Sequence, residues 1–234
     1  MDRRTFIESC SAGAACITAS AAWPVFAADA RPRAYARVLL TDEHGDALRA
    51  SSLKARTNYV FHYPFEATPV FLLNLGRPAL PKALTTRAKE AYDWPGGVGR
   101  EHSVVAFSAI CAHQLVYPTR EVSFISFRKT RARKGLQDNL IHCCADNSQY
   151  DPAQGARVLG GPATQPLCAV LLEHDAAADS LTAYATLGGE LFDDFFRKYA
   201  FKLSLDLGPN AHQPVAGRAA VRELDKFCRN AIQC

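Results

Sequence analysis

Several common functional signatures are missing from this chain of 234 residues. There is no glycine-rich phosphate loop and no dinucleotide fingerprint, which argues against nucleotide chemistry. No catalytic nucleophile sits in a familiar motif. No internal repeat is evident, which argues against solenoids and propellers. Charge is near balance, at +4 for the full chain, so composition implies no nucleic-acid partner. Beyond the N-terminus no run of residues is apolar enough to span a bilayer.

What is there begins with a targeting segment over residues 1–30. Asp2-Arg3-Arg4-Thr5-Phe6-Ile7 resembles a twin-arginine export signal. A weakly apolar run of about 19 residues follows, from Cys10 to Ala28. It lacks leucine and is rich in small residues, so it has little transfer energy into lipid. Ala28-Asp29-Ala30 is an A-x-A cleavage site, with Val25-Phe26-Ala27 as the alternative. The predicted location is the periplasm; a retained segment would instead anchor the protein in the inner membrane. This route carries folded proteins and so suits one whose cofactor is inserted before export.

About 204 residues remain after cleavage, enough for one domain with a sizeable core. Of eight cysteines, Cys10 and Cys16 leave with the signal. Cys111, Cys143, Cys144, Cys168, Cys228 and Cys234 stay, and an oxidising compartment permits disulfides among them. Cys168 reads as a small core residue. Cys228 and Cys234 lie about 9 Å apart if one helix spans both, too far to bridge, so a disulfide there requires the helix to end near Cys228.

The pattern is mostly β. Arg37-Val38-Leu39-Leu40, Tyr59 to Tyr63, Val70 to Leu75, Val104 to Ile110, Glu121 to Phe127, Leu167 to Leu172 and Leu181 to Leu187 all read as strands. Trp94-Pro95-Gly96-Gly97 is turn chemistry. The residues Thr85 to Tyr92 predict a short helix. Leu191, Phe192, Phe195, Phe196 and Tyr199 recur at helical spacing, and core packing is the default role for such a stripe. Pro214 to Cys234 predicts a terminal helix. Arg128 to Lys134 holds five positive charges in seven residues. It reads as a solvated loop, or as an electrostatic dock for an acidic redox partner. His44 and His62 read as turn and strand-face residues without a metal role.

Two stretches carry the chemistry. In Val104 to Pro118 a strand delivers Cys111 and His113 into a turn. In Leu140 to Asp151, Cys143 and Cys144 precede Ser148 and Tyr150, and Gly155 to Ala163 follows with Gly161-Pro162. From about Tyr35 to Leu187 these features resemble the Rieske iron–sulfur family. The resemblance implies an antiparallel β-sandwich whose two tip loops hold a [2Fe–2S] cluster, two Cys on one iron and two His on the other. It implies a domain over residues 35–187, followed by a C-terminal helical extension over 188–234.

Carried over by position, Cys111 and His113 match the first loop. The family's second loop reads Cys-Pro-Cys-His-Gly-Ser. Aligned on Ser148, it falls on Cys143, Cys144, Ala145 and Asp146; a register one residue later starts at Cys144 and ends at Asn147. Neither register supplies the second His. The inter-loop disulfide of many members would fall on Val116 and Ala145, so both halves are missing together. Asp146 is the positional heir of the absent ligand, Cys144 is an alternative, and His142 would approach from the wrong side of Cys143. Ser148 and Tyr150 match positions whose hydroxyls bond to cluster sulfurs, and Gly161 and Pro162 match a segment that covers the cluster. A carboxylate ligand keeps negative charge on its iron, which predicts a lower potential than a two-His centre has.

The implied function is electron transfer, by a protein without activity alone or by the small subunit of an oxidoreductase. It would be similar to the iron–sulfur subunit of quinol–cytochrome c reductase or the small subunit of arsenite oxidase. The expected partner is a cytochrome or a larger oxidoreductase subunit; in a quinol-oxidising complex His113 would meet the quinol. Two other readings stay open. One is a cluster-less binding or assembly module, motivated by the absent His. The other is a mononuclear metal site, zinc being the candidate, built from Cys111, His113, Cys143 or Cys144, and Asp146. A Rieske oxygenase would need a longer chain with a mononuclear-iron domain.

Overall fold

The computed structural model describes residues 31–129 and 138–234. The export segment, and the basic run from Thr130 onward, lie outside the described residues. The described chain is mostly β, as the period-2 patterns predict.

β1 (Arg33–Thr41), β2 (Tyr59–His62) and β3 (Pro69–Asn74) begin the main sheet. β4 (Lys82–Thr85) and β5 (Ala91–Trp94) form a separate hairpin, followed by β6 (Val104–Ser108). Next come β7 (Val122–Ser123), β8 (Ile125–Arg128), β9 (Leu140–Cys143), β10 (Ser148–Asp151) and β11 (Arg157–Gly160). The long hairpin β12 (Ala169–Asp175) and β13 (Ser180–Leu187) precedes α1 (Phe192–Leu207). The chain finishes with β14 (Gly217–Ala220), β15 (Arg222–Glu223), the single turn α2 (Leu224–Phe227) and β16 (Asn230–Ala231).

Eight strands make the main sheet in the order β14-β1-β13-β12-β6-β3-β2-β15, and β11-β10-β9-β8 make a smaller one. Most pairings are antiparallel, but β1 with β14 and β7 with β16 are parallel. Strand alternation sorts the apolar residues into two cores. Val70 and Leu72 of β3, with Val104 and Ala106 of β6, face one cluster with Val38, Leu40 and Leu181. Phe71, Leu73, Val105 and Phe107 face the other, shared with Ile125, Ile141 and Tyr150 of the small sheet. Burial of each such Phe contributes about 2–3 kcal/mol. The small sheet therefore sits on the outer face of the large one, and Cys111 and Cys143 lie within that second core.

The main sheet is nearly closed by its C-terminal strands. β14 pairs with β1 at one edge, from Val38↔Gly217 to Thr41↔Ala220. The next residue, Val221, donates to Thr41 O at 2.8 Å. β15 then pairs with β2 at the opposite edge, Arg222 with Val60. Residues 217–223 thus join both edges of the sheet.

Two predicted helices are corrected. Thr85 to Tyr92 is a hairpin: Thr86 N donates to Glu90 O at 2.9 Å, and Lys89, at φ 67°, turns the chain. Pairing puts Leu84, Tyr92 and Trp94 on one buried face, where Trp94 packs 5.7 Å from Phe107; a helix would have scattered them. Pro214 to Cys234 is not a terminal helix either. Val215, Ala219 and Val221 alternate into the sheet interior, so period 2 wins over period 3.6. The predicted strand from Glu121 to Phe127 is broken at half-exposed Phe124 into β7 and β8.

The aromatic stripe does form α1. Phe192, Phe195 and Phe196 pack with Ile110 and Ala67, and Tyr117 lies edge-on to Phe195 at 4.9 Å. Asp193 and Asp194 sit favourably in its first turn. The helix therefore buttresses the chain on both sides of Cys111 and His113. Among the described residues no helix is long and apolar enough to cross a membrane.

Candidate metal centre

Two loops converge at one end of the second core. β6 ends at Ser108, and the chain then turns tightly: Cys111 N donates to Val116 O at 2.9 Å and Leu115 N to Cys111 O at 3.0 Å. The turn holds Leu115 at φ 57°, a strained conformation for a branched residue that surrounding packing must enforce. The second loop is the β9–β10 turn, where Cys143 pairs with Ser148. Asn147 takes the left-handed conformation that asparagine tolerates, at φ 61°.

These turns bring Cys111 Sγ, Cys143 Sγ and an Asp146 carboxylate oxygen within 4.8 Å of one another. Cys111 Sγ lies 3.2 Å from Asp146 Oδ2, and His113 Nδ1 lies 3.0 Å from the same oxygen. Both thiols are fully buried, the Asp146 side chain nearly so, and the His113 ring is 38% exposed. Three of the predicted ligands are therefore in the interior and the imidazole is at the surface.

The remaining predicted residues frame this cluster. Tyr150 OH accepts from Ala112 N at 3.2 Å, leaving its proton to point at Cys111 Sγ, 3.4 Å away. Ser148 N donates to Asp146 Oδ1 at 2.9 Å, and Ser148 Oγ accepts from Ala163 N at 3.2 Å. The Gly161-Pro162 segment crosses directly over the second loop. Gly161 has φ +83°, and an added Cβ there would meet Ser148 Cα at 2.5 Å. Only glycine permits that approach. His142 is buried in β9 beside Cys143 and, by strand alternation, on the opposite face; it is not among the clustered donors.

Cys144 is corrected out of the ligand set. It is disulfide-bonded to Cys234, with α-carbons 5.4 Å apart. Successive residues entering the turn face opposite ways, so Cys143 meets the interior and Cys144 the C-terminal strand. Cys228 is free and buried, which also answers the Cys228–Cys234 alternative. Arg128, read as the start of a solvated basic run, is buried instead; its guanidinium donates to Ile232 O and lies 3.6 Å from Cys144 Sγ. Burial lowers its pKa. The pairing of Cys234 with Cys144 and the burial of Arg128 were missed. The adjacent Cys143-Cys144 pair was the available signal, because two neighbours on a strand cannot both face one site.

The electrostatics fit a cation. A hydrogen bond from Cys143 lowers the Cys111 pKa, against burial, and Tyr150 and the backbone N–H groups of His113 and Gln114 add to the lowering. The same Cys111 partnership raises the Cys143 pKa, with burial second. Of the two thiols, Cys111 is therefore the one that ionises first. Burial would raise the Asp146 pKa, but hydrogen bonds from Ser148 N and from the Cys143 and Cys111 thiols hold it below the usual carboxylate value. A thiolate and a carboxylate 3.2 Å apart repel in a site shielded from water unless positive charge lies between them. Two thiols, a carboxylate and an imidazole form a donor set suited to iron–sulfur or zinc chemistry.

No family model matches the chain. Among solved structures it is similar to the soluble domain of the Rieske protein II (soxF) from Sulfolobus acidocaldarius. The likeness has 24% sequence identity and a TM-score of 0.48, over 67% of this chain and 82% of that one.

Proposed function

We propose that this chain is an exported Rieske-type electron-transfer protein with an altered [2Fe–2S] site. Cys111 and Cys143 would ligate one iron, His113 and Asp146 the other. The observation that carries this reading is the convergence of these four side chains from two separate loops. When bound, such a cluster supplies a one-electron relay. The chain's own residues do the rest. Tyr150 aims a hydroxyl proton at Cys111 Sγ, which favours the reduced state. Gly161 lets the covering segment lie against the second loop and limit water. The half-exposed His113 is the edge that a partner would meet. A cytochrome or a larger oxidoreductase subunit is the proposed partner and the periplasm the proposed compartment, both from the sequence motifs.

A mononuclear zinc site is the second reading, favoured by compactness. Ligand atoms around one tetrahedral ion, with bonds of about 2.0–2.3 Å, lie roughly 3.3–3.8 Å apart. A spread of 4.8 Å or less for three donors is closer to that than to the wider span of a two-iron cluster.

The deciding experiment is electron paramagnetic resonance of the dithionite-reduced protein, with iron, sulfide and zinc analysis. A signal of low average g-value, with two iron and two sulfide per chain, supports the proposal. Stoichiometric zinc without iron establishes the second reading. Anaerobically prepared protein with neither metal would leave a cluster-less module.

A further inference from the structure

A second site lies outside the metal centre. A cleft of about 510 Å³ opens between the end of α1, the segment Tyr117–Glu121 and the closing strands around Arg222. Its volume falls in the range of small-molecule pockets. The His62 ring sits at one end, 5.8 Å from the Phe227 ring and tilted 60° to it. No hydrogen bond reaches the His62 ring from the described residues. Arg120 and Arg222 line the same cleft near that ring and form no ion pair among the described residues. Burial, then these two guanidinium groups, push the His62 pKa down to about 4, so the ring is neutral at physiological pH beside two positive charges.

The other charges of the cleft are placed differently. Arg218 is engaged by Gly45 O at 2.7 Å, and Asp206 by Lys202 at 2.7 Å. Asp206 and Glu121 lie toward Tyr117, whose pKa is raised by burial first and then by these acids. The Tyr117 hydroxyl is buried with no hydrogen-bond partner among the described residues. Glu66 also lines the cleft without an ion pair among them. The cleft thus holds two guanidinium groups near the His62 ring, and an unused Tyr117 hydroxyl near acidic groups.

We infer that this cleft binds a small organic monocarboxylate with a flat apolar body. The carboxylate would take hydrogen bonds from Arg120 and Arg222, the pairing for which guanidinium geometry is suited. The body would lie against His62 and Phe227. The cleft wall Tyr117–Glu121 is the chain leaving the Cys111–Val116 turn, so an occupant would touch the segment that carries the first metal-centre loop.

The test is isothermal titration calorimetry of the folded, full-length protein with benzoate and, separately, benzylamine. Benzoate should bind and benzylamine should not. The double variant Arg120→Gln, Arg222→Gln should weaken benzoate at least about tenfold, the loss expected when charge-assisted bonds to a carboxylate are removed. Circular dichroism and metal content should be unchanged, because both side chains are at a cleft and not in the core. Glu121→Gln should leave benzoate binding intact or tighter. Absence of benzoate binding, binding unaffected in the double variant, or tighter binding of benzylamine would each overturn the inference.

Discussion

In the proposed site Asp146 stands where the resemblance would place a histidine ligand, and hydrogen bonds lower its pKa. A carboxylate keeps one more negative charge on the centre than imidazole does. Asp146→His should therefore raise the reduction potential toward the two-His range of about −150 to +300 mV. Protein-film voltammetry of the two forms measures this, and an unchanged potential would show that Asp146 is not a ligand. At this scale the sequence was informative where residues act in fixed spacing. Cys111-x-His113, Cys143, Asp146, Ser148 and Tyr150 do converge. Their convergence was legible because each pair sits within one tight turn. The Cys144 role was not legible, because its partner is 90 residues away and the choice depends on which face of the chain each neighbour takes.

The β12–β13 hairpin shows how one turn ties elements together. Asp179 accepts from Ser51 Oγ at 2.5 Å and from Ser51 N at 3.1 Å, and lies 2.9 Å from His174 Nε2. These contacts, the Ser51 hydroxyl foremost, lower its pKa to about 2. A carboxyl depressed in the folded state stabilises the fold above its unfolded pKa, and that stability is lost as pH falls through the folded value. Asp179→Asn should therefore cost about 1 kcal/mol at pH 7, after discount for its surface position, and close to nothing at pH 2. Urea unfolding at the two pH values checks both the size and the sign. Elements were predicted well where alternation or an aromatic stripe was strong, as in β3, β6 and α1. They were misread where burial is shared between distant strands. Leu84, Tyr92 and Trp94 make sense only against Phe107, and Val215, Ala219 and Val221 only inside a sheet that must be closed.

Across the whole molecule the Cys144–Cys234 bond ties the C-terminal strand to the loop that carries Cys143 and Asp146. Cross-linking residues 90 apart in sequence constrains the unfolded chain strongly, and stabilisation of about 2–4 kcal/mol is expected. Cys234→Ser should lower the melting temperature by that equivalent and speed loss of the proposed metal to a chelator. Thermal melts and a timed chelator challenge of both proteins test this; equal metal release would mean that the loop is held without the bond. The closing strands have another consequence. Strands at the rim of a sheet present unpaired N–H and C=O groups, templates on which other chains can add. Here seven residues, 217–223, cover the rim on both sides at once. If that short segment detaches, two sticky rims appear together, one on β1 and one on β2. Its attachment is therefore as much a guard against self-association as a part of the fold.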